Sequence, residues 1–424
     1  METVETVETA IPIRKVWRPT VWPVQLTARL PGVHPHLESC WAVQGQATSP
    51  ERRRAQSNVW LIDVEGLPCM RVLFVSNYPH LPEIRGGLQT TTHDLCLAVQ
   101  ALGAHAAVLC GMDEHGRARE DGASTAFDDS LGYRTLRAHS PDQALPLVAG
   151  AWDATAIVVQ SGTALAPMVR SSLQTGRATA VYLHNVETHQ LGGMLVPDPS
   201  LLYLANSRFT AERWRALCGL SCAVIPPVVA LDSYLAGPGG QSSPDKHGGT
   251  KGDKVLFVNP VPIKGVELMF ALAAACPELP FLVVESWNLE PHWRAHCRHR
   301  AQQLGNVQWC AATADMRPVY AQSRVLLMPS VWEESFGRTV VEAQLNGLPV
   351  LASARGALPE IVGAGGLTLE PHAPTQAWAS ALRRLYVDQE GAGERGRQQA
   401  HGHCAATPLI VADLLSLLSA HAAR

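Results

Sequence analysis

The sequence predicts an α/β protein with two parallel-sheet halves facing each other across a cleft. Three observations carry that expectation. From Met70 to about residue 390, short β-branched and apolar runs alternate with segments of helical spacing. One stretch rich in Gly, Pro and Ser, LAGPGGQSSPDKHGGTKGD at 235–253, interrupts the alternation. The alternation then restarts, so the two halves are of similar length. In open sheets of this kind ligands bind beyond the carboxyl ends of the strands, which places a ligand in the cleft.

The first half starts cleanly at Met70. MRVLFVSNYP reads as a buried parallel strand, HLPEIRGGLQ as a loop, and TTHDLCLAVQALG as a helix with Leu95, Val99 and Leu102 on one face. AAVLCG, ATAIVVQSG, TAVYLHN and LLYLANS are further strands. SRFTAERWRALCG is a helix capped by Ser207, and CAVIPPVV closes the half. In the second half, KVLFVN, FLVVES, NVQWC, VLLMPS, PVLAS and GLTLE are strands. Between them lie helices at KGVELMFALAAAC, 290–303, ADMRPVYAQS and FGRTVVEAQLNG, with QAWASALRRLYVD after the last strand. The segment 391–403 is polar and Gly-rich and reads as flexible, and ATPLIVADLLSLLSAHA supplies a final helix with leucines to bury. Residues 1–69 lack this alternation. They are expected to be a disordered or loosely attached extension, with Met70 as an alternative start.

The expected divisions are therefore 1–69, 70–234, the linker 235–253, 254–390, and 391–424. Of the 424 residues, 46% are hydrophobic and 17% charged, enough for buried cores in both halves. Lys and Arg total 34 against 37 Asp and Glu, a net charge of −3 that gives no footing for a general nucleic-acid binder. Any bound anion must be held by local geometry. No apolar run reaches the roughly 18 residues of a membrane span, and the acidic METVETVETA is not expected to be a secretory signal. Ten scattered cysteines without a C-x-x-C pair fit reduced thiols and a cytoplasmic protein.

The chemistry concentrates in PSVWEESFGRTVVEAQLNGLPVLAS. A strand ends at Ser330, a loop carries Glu333 and Glu334, and Gly337 opens a helix containing Glu342. A helix N-terminus offers unpaired N–H groups and a positive partial charge to a phosphate. Gly337, lacking a side chain, lets a ligand approach the backbone of Arg338 and Thr339. A carboxylate in the second turn, Glu342, can accept two hydrogen bonds from a vicinal diol such as a ribose, and Glu334 can meet sugar hydroxyls. Most helix glutamates are merely solvated. Val340, Val341 and Ala343 around Glu342 argue for a buried face instead.

The spacing Glu334-x(7)-Glu342, with Ser335-Phe336-Gly337 between and NGLPV…GALPE following, resembles the glycosyltransferases of family 4. MRVLFVSNYP…RGGLQTTTHDLCLAVQALG, ANSRFTAERW, FVNPVPIKGVELM and GALPEIVGAGGLTLEP fit the same family, so the resemblance covers roughly 70–390. It implies a GT-B fold, two Rossmann-like domains, and a retaining hexosyltransferase using a nucleotide-diphosphate sugar. Carried over, Glu342 binds ribose hydroxyls, Glu334 contacts the donor sugar, and Lys264 contacts the diphosphate. Gly86 and Gly87 let the first half close on the diphosphate, and His184 faces the sugar near the reacting carbon. The donor is a substrate, and no cofactor or metal is expected. The acceptor is open between a saccharide, a lipid-linked and a small-molecule compound. Membrane contact is possible for a lipid acceptor but is not indicated.

Two departures stand out. The family commonly has an Arg a few residues before the Lys, where this chain reads Asn259-Pro260; Arg338 and Arg355 are the candidate replacements. Glu285-Ser286-Trp287 replaces a glycine-rich turn. These leave two alternatives in play, a non-catalytic nucleotide-sugar binder and a nucleotide-sugar epimerase. Elsewhere, His292, His296, Cys297 and His299 read as a polar helix face rather than a zinc site, Cys218 and Cys222 as packed thiols, and His401, His403 and Cys404 as part of the flexible segment.

Overall fold

The computed structural model describes residues 70–112, 125–191, 195–236, 252–286 and 289–423. The expected extension over 1–69 and most of the expected linker lie outside the described residues. The first half runs β1 (Arg71–Val75), α1 (Gly87–Ala101), β2 (His105–Gly111), β3 (Thr125–Asp128), β4 (Arg134–Ala138), α2 (Pro141–Ala151), β5 (Ala156–Gln160), α3 (Leu165–Leu173), β6 (Ala178–Leu183), β7 (Leu201–Ala205), α4 (Arg208–Cys218), β8 (Ala223–Val224) and α5 (Leu231–Tyr234). The second half runs β9 (Lys254–Val258), α6 (Val266–Ala275), β10 (Phe281–Val284), α7 (Pro291–Leu304), β11 (Val307–Cys310), α8 (Arg317–Ala321), β12 (Ser323–Met328), α9 (Arg338–Leu345), β13 (Val350–Ser353), α10 (Leu358–Val362), β14 (Gly366–Leu369) and α11 (Thr375–Val387). Two helices follow, α12 (Gln389–Ala405) and α13 (Thr407–Ala422).

Each half is built on one sheet, ordered β3-β4-β2-β1-β5-β6-β7-β8 in the first and β11-β10-β9-β12-β13-β14 in the second. Pairing is parallel except for β3 against β4. Helices cover both faces, and β1 shows why its sequence is apolar throughout. Val72 and Phe74 join a core with Leu95 and Val99 of α1, while Leu73 and Val75 face Leu145 of α2, Met168 of α3 and Trp214 of α4. β9 divides in the same way: Val255 and Phe257 pack with α6 and α11, and Leu256 packs with Val340 of α9.

The strand order reverses beside the first strand of each sheet, between β1 and β5 and between β9 and β12. At such a point neighbouring connections leave in opposite directions and open a crevice. The loops after β1, β9 and β12 carry Gly86, Lys264 and Glu334 respectively.

The tail corrects an expectation. Residues 391–403 form most of α12 rather than a flexible segment. Their glycines serve contact: a Cβ at Gly393 would stand 2.2 Å from the Gly347 carbonyl, and Gly396 lies against Gly365 and Gln344. His403 Nε2 reaches the Pro227 carbonyl at 2.8 Å. The following α13 crosses back to the first half, burying Ile410, Val411, Leu414, Leu415 and Leu418 beside Val72, Phe74 and Tyr182. Among the described residues, no single helix is long and apolar enough to cross a membrane.

Candidate functional site

A cleft of about 790 Å³ between the halves is lined by Gly86, Gly87, His184, Lys264, Glu334, Gly337, Arg338, Thr339 and Glu342, the full set singled out in the sequence. Its size lies in the range of about 300–1,000 Å³ usual for small-ligand sites. Two helix N-termini open into it from opposite walls. Gly86 precedes α1 in an extended conformation, no side chain caps the helix, and a Cβ on Gly87 would meet nothing. Gly337 precedes α9 with φ of 94°, a left-handed conformation that suits glycine. A Cβ there would press on Leu358 at 2.9 Å. Neither helix has an acidic residue in its first turn, so both present uncompensated N–H groups.

Lys264 ends a short 3₁₀ turn after β9, and Glu334 sits on the loop after β12. Lys264 Nζ donates to Glu334 Oε1 at 2.6 Å, and Ser330 Oγ donates to the same oxygen at 2.6 Å. Close backbone crossings hold both residues. A Cβ on Gly265 would lie 2.0 Å from the Pro329 carbonyl, and one on Gly356 would lie 2.2 Å from the Glu334 carbonyl. Lys264 Nζ also stands 5.2 Å from the centre of the Trp332 ring, a cation–π contact.

His184 follows β6. Its backbone N–H donates to Ser161 Oγ at 3.0 Å, and its carbonyl accepts from Ser335 Oγ at 2.5 Å. The ring lies 4.1 Å from that of Tyr182. Burial lowers its pKa to about 3, so the imidazole is neutral at physiological pH. Its Nε2 is buried without a partner among the described residues, and the residue lines the cleft.

Glu342 is buried on α9. Tyr320 OH donates to its Oε2 at 2.7 Å, and Arg338 Nε donates to its Oε1 at 2.9 Å. Burial pushes the carboxyl up and the neighbouring guanidinium pulls it back. An ionised carboxylate has about four lone-pair positions. With one used on each oxygen, one on each remains for a diol.

Neither proposed replacement for the absent arginine serves that purpose. The Arg338 side chain is spent in the junction of the halves, where it bonds Asp94, Val228 and Glu342. Arg355 does not line the cleft. Asn259 does, with φ of 68° and a buried Oδ1 that has no partner among the described residues. Asparagine tolerates that left-handed backbone better than most residues. The cation that sequence reasoning missed is Arg85, beside Gly86. It is exposed, lines the cleft, and makes no ion pair among the described residues. Its place before a glycine pair was visible, but only the facing second half gives that place meaning.

Other unforeseen residues join the halves. Asn206 Nδ2 donates to Ser335 Oγ at 3.1 Å, and Thr210 Oγ1 reaches the Ser335 carbonyl at 3.2 Å. Arg208 pairs with Glu360 and Arg213 with Glu333. Across the second half, Glu285 accepts from Arg294, Arg298 and Trp309 at the edge of the cleft. His296 stacks on Trp293 and Cys297 is buried in the core of that half. No group of three His, Cys, Asp or Glu side chains among the described residues is arranged around a metal position.

Comparison with known proteins places this geometry. Residues 253–388 match the family described as glycosyl transferases group 1. A D-inositol 3-phosphate glycosyltransferase of Mycobacteroides abscessus is 32% identical over 220 residues, 48% of each chain. One from Corynebacterium glutamicum is 41% identical over 101 residues, 22% of this chain and 23% of that protein. These matches thus span about a quarter to a half of the curated relatives' length. Anabaena HepE, solved in complex with UDP and glucose, superposes with a TM-score of 0.66 at 18% identity, covering 82% of this chain and 99% of that one. Residues 253–388 thus resemble a group 1 glycosyl transferase domain, and the described body has the GT-B fold.

Proposed function

We propose that the protein is a retaining glycosyltransferase that moves a hexosyl group from a nucleotide-diphosphate sugar to a saccharide, lipid-linked or small-molecule acceptor in the cytoplasm. The observation that carries this reading is the convergence of two uncapped, glycine-opened helix N-termini and Lys264 on one cleft, with Glu342 buried in its wall. Opposed N–H groups and a cation suit a diphosphate, and their stabilisation grows as negative charge develops on the leaving group. Arg85 supplies the second cation from the first half. Glu342 takes the ribose diol, Glu334 the sugar hydroxyls, and His184 Nε2 a hydroxyl near the reacting carbon. In front-face retention the departing phosphate accepts the acceptor's proton, so no carboxylate base is needed. Anabaena HepE was solved with UDP, which makes UDP-sugars the first donors to try.

Asn259 in place of a basic residue and the Lys264–Glu334 ion pair favour one second reading, a nucleotide-sugar binder without turnover. A screen of UDP-, GDP- and ADP-sugars, following nucleoside diphosphate release, separates the two. Release, with sugar hydrolysed or transferred, supports the transferase. Binding without release supports the second reading, and interconversion of the sugar without release points to an epimerase.

A further inference from the structure

One guanidinium ties the two halves together at the candidate ribose carboxylate. Arg338 is the first residue of α9 and only 9% exposed. Its Nε donates to Glu342 Oε1, one helical turn along. Its Nη1 donates to the Val228 carbonyl at 2.7 Å, and its Nη2 donates to Asp94 Oδ2. Asp94 lies on α1 and is 4% exposed, and its Oδ2 also accepts from the Ala230 N–H at 3.4 Å. The Tyr234 ring stands 5.1 Å from the guanidinium carbon. Of the hydrogen-bonding partners of the Arg338 side chain among the described residues, Asp94 and Val228 thus belong to the first half, and Glu342 to the second.

The arrangement has a mechanical consequence. A planar guanidinium presents its donors in a rigid fork, so fixing one end fixes the direction of the other. Asp94 and Val228 fix the Nη end. Nε is then aimed at one lone pair of Glu342 Oε1, while Tyr320 occupies one of Oε2. The lone pairs left over are those available to the cleft. With Asp94 absent, the Nη end keeps only the Val228 carbonyl, so Arg338 is held less firmly and directs Glu342 less strictly.

The geometry points to Asp94 as a positioning residue: through Arg338 it orients the Glu342 carboxylate for the ribose diol of the donor, so that the diol is gripped fully only when the first half is in place. This rests on the donor reading above. It adds that recognition of the nucleoside, contacted by the second half, depends on a side chain of the first.

The test uses the full chain and titration calorimetry with UDP, GDP and ADP, each beside its 2′-deoxy counterpart. The wild-type protein is expected to prefer the ribonucleotide it binds by about tenfold, the scale of one charge-assisted hydrogen bond. Asp94→Asn should cut that preference to about threefold or less, through weaker binding of the ribonucleotide with the deoxynucleotide little changed. Arg338→Lys keeps the charge and loses the fork, so it should do the same in a chain less exposed to misfolding. Asp94→Glu should restore part of the preference. A merely structural role for Asp94 would weaken both ligands alike. The inference is overturned if both Asp94→Asn and Arg338→Lys keep the wild-type ribose preference. A wild-type protein that binds none of the three diphosphates, or binds without ribose preference, overturns the donor reading of Glu342 itself and this inference with it.

Discussion

Lys264 and Glu334, 70 positions apart in the chain, are joined at 2.6 Å beneath the cleft. The cation assigned to the diphosphate and the carboxylate assigned to the sugar are therefore one ion pair at a strand-order reversal. Glu334 directs the ammonium and offsets part of its positive field. On the proposed reading, a dianionic diphosphate would compete for that ammonium, and charge growing on the leaving group would strengthen the competition.

The first prediction follows from this pair. Lys264→Ala should lower turnover at saturating donor by about 10²–10³-fold, the usual scale for losing one charge-stabilising donor. Nucleoside diphosphate affinity should change by less than about tenfold, because the helix N-termini remain. Steady-state kinetics beside calorimetry distinguish the two effects. A change in affinity alone would remove Lys264 from the chemistry.

Arg85 should behave differently. It stands exposed at the opposite wall, so Arg85→Gln is expected to leave the melting temperature within about 1 °C, as for a surface change that breaks no contact. Donor affinity should fall by about tenfold and become less sensitive to salt. Titrations at low and high salt check this. Unchanged affinity at both would leave the diphosphate with Lys264 and backbone groups alone.

The last helix should govern the stability of the first half. Leu414 is 1% exposed and packed with the β1 core, so Leu414→Ala should cost about 2–5 kcal/mol. Chemical denaturation of the full chain gives the magnitude. Hydrogen exchange gives the location, with protection lost first in β1 and α1. Loss confined to the second half would contradict the packing of α13.

Acid should destabilise the folded state through buried histidines. His80, bonded to Tyr133 OH at 2.8 Å, has its pKa lowered by burial to about 4, and that of His184 falls to about 3. Both are neutral in the folded protein and protonate near 6.5 when unfolded. The unfolded chain therefore binds more protons between about 6.5 and the folded values, and stability rises with pH across that window. The contribution is complete above about pH 6.5 and is lost on acidification at about 1.4 kcal/mol per pH unit for each histidine. His80→Gln, which keeps a hydrogen-bonding side chain, should flatten the acid limb of melting temperature against pH. An unaltered limb would mean that other groups set it.

The alternation of strands and helices from Met70 onward was legible because each buried parallel strand must be apolar on both faces, as β1 and β9 are. The turns that carry Glu334 and Gly337 were legible because glutamates and a helix-opening glycine within apolar surroundings break the local rules of propensity and burial. Gly86 and Lys264 stood out through the family resemblance. β3 and β4 escaped notice because they are short, with β3 at the sheet edge and β4 next to it. Arg137 of β4 is buried where it pairs with Glu83 and Asp128 and donates to the Leu81 carbonyl. The helix α12 escaped because glycine in a sequence reads as freedom, whereas Gly393 and Gly396 are there to let two backbones approach.

By itself the sequence determined the chemistry of the residues singled out and their places at the ends of strands in two separate halves. Both are local properties, set by side-chain chemistry, by hydrophobic period and by the backbone freedom of glycine. Only the tertiary structure decided what each charge is paired with. Arg338 reads as a cation free for a phosphate until α1 is brought beside α9, where Asp94 and Val228 claim it. Arg85 reads as an ordinary surface residue until the second half faces it across the cleft. Hydrogen bonds and Coulomb attraction act over a few ångströms of space whatever the separation along the chain, and Asp94 and Arg338 are 244 residues apart.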